Sequence, residues 1–175
     1  MTPFTYIRLF FAIQILVACG SNGTGTKKVS EDGSFEVKIN VSAGDNYYEI
    51  IEQDTFSFTP YPYNFGTIKT DASVQLSCLV LSNRLSRNSR IKVIPIGLLN
   101  YQEFDQEKKL IITIPKEKNE RVIMATDILD LVTKYPSLKS MIQEWTLGKC
   151  GLGCSRFESW EDGNAAGLWI QRNLS

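Results

Sequence analysis

The stretch Phe58 to Gly66 reads F-T-P-Y-P-Y-N-F-G and packs four aromatic rings, two prolines, an asparagine and a glycine into nine residues. The prolines mark irregular backbone, so the rings either cap a core or line a cavity. Histidine is absent from all 175 residues, which excludes catalytic triads and zinc sites built on imidazole. Any chemistry must therefore rest on carboxylates, amines, hydroxyls or thiols. Of the thiols, Cys78 lies in the apolar run L-S-C-L-V-L and reads as a small buried hydrophobe. Cys150-Gly-Leu-Gly-Cys154 has a spacing that can close a small loop disulfide. The same C-x3-C, with neither histidine nor a second cysteine pair, makes a poor metal site.

The fourth thiol belongs to the N-terminus. Arg8 precedes the apolar run Leu9 to Ala18, which is too short to span a bilayer as a stable helix and reads as an export signal over residues 1–18. That run ends L-V-A-C-G and resembles a bacterial lipobox, in which Cys19 receives diacylglycerol before cleavage. The expected consequence is a membrane contact through lipid on Cys19, placing the protein in the bacterial cell envelope, periplasm-facing or on the outer surface. Residues 19–33, rich in Gly, Ser, Thr, Asn and Lys, read as a lipidated flexible tether, and residues 34–175 as one domain. The composition, 43% hydrophobic and 22% charged, suits a single compact soluble domain. The formal charge is zero, and removing residues 1–18 takes away Arg8 alone, so nothing in the electrostatics favours nucleic acid.

Two periodicities follow one another along that domain. Phe35 to Val41 (F-E-V-K-I-N-V) alternates strictly between apolar and polar, the two-residue period of a half-buried strand. Two extended pieces within Tyr47 to Phe58, then Val74 to Leu81, Ile91 to Leu98 and Leu110 to Pro115, complete five or more short strands, a spacing that predicts a small closed sheet. After Thr126 the period changes, because Leu131, Tyr135, Leu138, Ile142 and Trp145 recur at helical steps. Pro136 should open the second of two consecutive helices at its first turn. A final helix over Asn164 to Leu174 is expected to face inward through Ala165, Leu168 and Trp169. Strands first and helices after make an α+β domain.

In order and spacing, P-Y-P-Y-N-F-G, L-S-C-L-V-L, V-I-P-I-G, I-I-T-I-P, G-L-G at 151–153 and F-E-S-W-E-D at 157–162 resemble the family I soluble inorganic pyrophosphatases across residues 35–174. The resemblance implies an OB-like five-stranded β-barrel with flanking C-terminal helices. It also implies that the aromatic stretch walls an active-site cavity, with Tyr61 and Asn64 as matching pocket residues and Phe65 replacing a tyrosine.

Hydrolysing pyrophosphate requires its charge to be neutralised and a water activated, work done by Mg²⁺ held on carboxylates. The family's signature D-x-D-x-x-D falls here on Ala72 to Ser77, with the three aspartates replaced by Ala72, Val74 and Ser77, and Asp71 one residue away. Lys38 stands where the family has a first-strand glutamate, and Tyr47 where it has a phosphate-binding lysine. Lys108 matches a further aspartate, and Lys149-Cys150 a tyrosine-lysine pair. Glu49, Tyr61, Asn64 and the conservative Glu103 remain as pocket remnants. The expectation is a pseudoenzyme with no cofactor, acting as a module that binds a phosphate-type anion through Lys38, Lys108 and Lys149 or interacts with an envelope protein. The alternative is an active Mg²⁺-dependent diphosphatase with a site rebuilt from Glu49, Asp71, Glu103 and Asp105.

Overall fold

A computed structural model of the chain describes residues 32–45, 60–69, 74–151 and 153–174. The alternating segment forms β1, Phe35–Val41, with every odd-numbered residue buried. Then follow β2 (Asn64–Lys69), β3 (Gln75–Val80), β4 (Arg90–Glu103), β5 (Gln106–Pro115) and β6 (Ser155–Asp162). β1 pairs antiparallel with both β2 and β4, β2 with β3, and β4 with β5. The parallel pairing of β3 with β5 closes these five strands into a ring. This is the small closed sheet that the strand spacing predicted, in the OB-like arrangement that the resemblance implied; the two extended pieces expected within Tyr47 to Phe58 lie outside the described residues.

β4 holds the ring together because it is long enough to change partners. Its first residues pair with β1, and Gly97 to Glu103 pair with β6. The register shifts between Pro95 and Gly97, which accommodates a proline that a regular central strand would reject. Two apolar clusters lie on opposite faces of the sheet. One draws on all five ring strands, through Val37, Ile68, Cys78, Val93 and Ile111 among others, and meets Ala166 and Ile170 of the last helix. The other joins Leu79, Leu99 and Ile112 to Leu131, Ile142 and Trp145 of the two earlier helices.

Those helices begin where their sequence signals stand. In α1 (Ile128–Lys134) the Asp127 carboxylate caps the start by accepting from the Asp130 backbone N–H at 2.8 Å. Pro136 opens α2 (Pro136–Gly148), as expected from its fixed φ. The last helix, α3, spans Gly163–Leu174 and departs from expectation by one position. Its buried residues are Ala166 and Ile170, while Leu168 is largely exposed. The Ala165-Ala166 pair carries almost no amphipathic contrast, so only docking against β4 decides which alanine turns inward. No helix among the described residues is long and apolar enough to cross a membrane.

Candidate functional site

Strand alternation places the candidate polar residues on the sheet face that carries Phe65 and Leu79, opposite the ring interior. Lys38 stands across from Thr67, and Thr67 across from Ser77, so an amine and two hydroxyls line one rung over three strands. Asn40, two residues along β1 and on the same face, donates its Nδ2–H to Thr67 Oγ1 at 3.2 Å. Lys108 on β5 faces Tyr101 on β4 and donates to Gln106 Oε1 at 3.0 Å. Lys38, Ser77 and Lys108 are all partly buried, which is uncommon for lysine.

A corner of this face is built where α2 ends. The Trp145 indole N–H donates to the Pro60 carbonyl at 3.1 Å, anchoring the proline-aromatic stretch to the helix. The Tyr61 ring packs 4.6 Å from Trp145 and 5.2 Å from Phe65 between centroids. One helical turn beyond Trp145, Lys149 Nζ lies 3.4 Å from Glu103 Oε1 and 3.3 Å from the Tyr101 hydroxyl. Both charged side chains are less than a third exposed. At an effective dielectric of about 20, two such charges attract with about 5 kcal/mol gross, much of which offsets their desolvation. The residues singled out separately as a pocket carboxylate and an anion-binding lysine thus form one ion pair. Tyr101 was not singled out from the sequence, although its place two residues before Glu103 on one strand puts both on the same face.

The other candidates are placed differently. Asn64 is fully buried, and its amide holds loops together: Oδ1 accepts from the Ala43 and Leu85 backbone N–H groups, and Nδ2 donates to Ser82 Oγ and the Asn83 carbonyl. Val74 sits just before β3 and is substantially exposed. Cys78 lies inside the ring, where burial pushes its thiol well above the ordinary range and keeps it protonated. Cys150 and Cys154 form a disulfide. Cys19, Glu49, Asp71 and Ala72 lie outside the described residues. A concavity of about 950 Å³ lies elsewhere, between Phe35, Ile128, Asp162 and the start of α3, and gathers none of the candidates.

Mg²⁺ requires several oxygen ligands, chiefly carboxylates. Among the described residues no group of three or more Asp, Glu, Cys or His side chains converges. Glu103 is held by an ammonium, and Val74 and Ser77 offer no carboxylate. Among the described residues, this donor set does not fit the carboxylate-held Mg²⁺ site that the resemblance implied.

Asp105, a candidate ligand in a rebuilt site, occupies the β4–β5 turn, where Glu103 and Gln106 pair directly. Phe104 and Asp105 both adopt positive φ, 49° and 60°, the conformation of a type I′ turn that favours Asn-Gly. Phe104 is also 61% exposed. The double substitution Phe104→Asn, Asp105→Gly is expected to raise stability by about 1–2 kcal/mol, read as a higher urea midpoint at unchanged slope.

Five strands closed in a ring, with helices gathered at the C-terminal end, define an α+β domain of the OB-like class. Solved structures similar to it include inorganic pyrophosphatases. The enzyme from Helicobacter pylori superposes with a TM-score of 0.67 at 20% identity, over 81% of this chain and 91% of that one. That from Thermus thermophilus gives 0.67 at 20% identity over 83% and 91%, and that from Neisseria gonorrhoeae 0.67 at 19% over 81% and 90%. The chain therefore has the inorganic pyrophosphatase fold. No protein-family model and no curated protein matches the sequence. Identities this low establish the fold and leave the chemistry to the site residues.

Proposed function

We propose that this chain is a pyrophosphatase-fold pseudoenzyme, anchored in a bacterial envelope through lipid on Cys19, that binds a phosphate-type anion without metal. The observation that carries this reading is the Lys149–Glu103 pair, in which a built-in ammonium occupies the one described pocket carboxylate. A divalent ion would have to displace that ammonium before it could use Glu103. With Glu103 already neutralised, Lys38 and Lys108 leave the face positively charged, and Thr67, Ser77 and Tyr101 supply hydroxyl donors. Charge-assisted hydrogen bonds from such groups suit a small oxyanion.

The test is calorimetric titration of the purified chain with phosphate and pyrophosphate in chelator-treated buffer, alongside an assay of phosphate release with and without Mg²⁺. Binding without metal is expected, weakened about tenfold or more in Lys149→Met and Lys38→Met, since a charged hydrogen bond contributes about 1.5–3 kcal/mol. Release should not exceed the buffer rate. Phosphate release that requires Mg²⁺ and falls in Glu103→Gln would establish the active diphosphatase reading instead. A silent titration together with a silent assay would point to an interaction module for another envelope protein.

A further inference from the structure

The ion pair of the candidate site is bracketed by the disulfide. Lys149 caps α2, its backbone N–H donating to the Trp145 carbonyl at 3.1 Å, and Cys150 follows it directly. At the other end of the loop, the Cys154 carbonyl accepts from the Phe104 backbone N–H at 2.9 Å. Ser155, the first residue of β6, pairs with Glu103. Each cysteine is thus bonded or adjacent to the backbone that carries one member of the pair, and the bridge spans 6.1 Å between Cα atoms. Gly151 and Gly153, with φ of 101° and 80°, give the short loop the left-handed turns it needs to close. Both glycines are exposed and both cysteines only partly buried, so the bridge lies within reach of a reductant.

We propose that Cys150–Cys154 is a redox-controlled staple that positions Lys149 against Glu103 and Tyr101, so that its reduction by a dithiol loosens anion binding. This rests on the anion-binding reading of the same site. A thiolate of the dithiol attacks one cysteine sulfur, the S–S bond breaks, and the departing cysteine thiolate takes up a proton. The second thiol of the reductant, losing its own proton, then attacks the mixed disulfide and releases the first cysteine, which is protonated in turn. The reductant ends as its disulfide and the protein as two thiols. Freed of the bridge, the residues after α2 are joined to β6 by a glycine-rich loop, the Trp160–Gln143 hydrogen bond holding only the middle of the helix, and the ammonium samples positions away from Glu103. Cys78, enclosed within the ring, takes no part.

The experiment compares the full chain oxidised, reduced with dithiothreitol, and as the Cys150→Ser, Cys154→Ser double variant. Hydrogen exchange of residues 145–155 and 101–104 is read beside calorimetric phosphate binding without metal. Faster exchange in both segments, with affinity about tenfold lower in the reduced and double-variant proteins, is expected. Unchanged exchange on reduction would overturn the staple, and faster exchange with unchanged affinity would overturn its control of binding. If exchange rises but phosphate binds in neither state, the anion reading fails while the mechanical role of the bridge stands.

Discussion

Replacing Asn64 with alanine is expected to lower stability by about 3–5 kcal/mol, a large share of the roughly 5–15 kcal/mol that holds a domain folded. The side chain is fully buried and makes four bonds of 3.0 Å or less, accepting from Ala43 N at 3.0 Å and Leu85 N at 2.9 Å and donating to Ser82 Oγ at 2.9 Å and Asn83 O at 2.8 Å. Alanine would take the acceptor from the Ala43 and Leu85 N–H groups, each costing about 1–3 kcal/mol where water cannot reach, while Ser82 Oγ and the Asn83 carbonyl keep the bond between them. Some would be rewetted, which keeps the total below the simple sum. The fall should appear as a melting temperature lower by about 10–15 °C for a domain of this size. Asn64→Asp is expected to be no better, because it keeps the acceptor but sets a carboxylate against the Asn83 carbonyl. A loss under about 1 kcal/mol for the alanine variant would mean that the two loops are held by something else.

Gly66→Ala should be the next most damaging change, at about 3 kcal/mol. A Cβ at that position would lie 2.5 Å from the Lys38 carbonyl oxygen and 2.5 Å from Val37 Cγ1. The first neighbour is backbone, so β1 and β2 would have to part. Lys38 would then move off the rung it shares with Thr67, and phosphate affinity should fall along with the urea midpoint. Gly167→Ala serves as the control, since nothing lies within 4 Å of an added Cβ at that partly exposed position of α3. There, better helix propensity should raise stability by about 0.5–1 kcal/mol. Similar behaviour of the two alanine variants would rule out close packing as the reason for glycine at position 66.

The elements that were legible in the sequence are those whose burial repeats regularly. β1 was readable to the residue from its alternation, and α1 and α2 from helical spacing and Pro136. β2 was hidden because Pro60 and Pro62 make the whole aromatic stretch look irregular, yet pairing begins immediately after them at Asn64. β6 was missed because F-E-S-W-E-D shows no clean alternation. All eight of its residues are at least partly exposed, and its conformation comes from the ladder with β4. The resemblance singled out Lys149 and Glu103 individually, but their pairing depends on where α2 ends relative to the hairpin, a tertiary distance that no local pattern encodes.

β6 also alters the hazard of aggregation. Every strand of the ring has a strand partner on each side, so among the described strands β6 borders the sheet, and the row of backbone N–H and C=O groups along its outer side faces no other strand. Such a row is a template on which a neighbouring molecule could add its own strand. In β6 it is studded with Arg156, Glu158, Glu161 and Asp162. Two chains approaching through these margins would have to bury unmatched acids, which favours dispersed molecules even when many are crowded onto one surface.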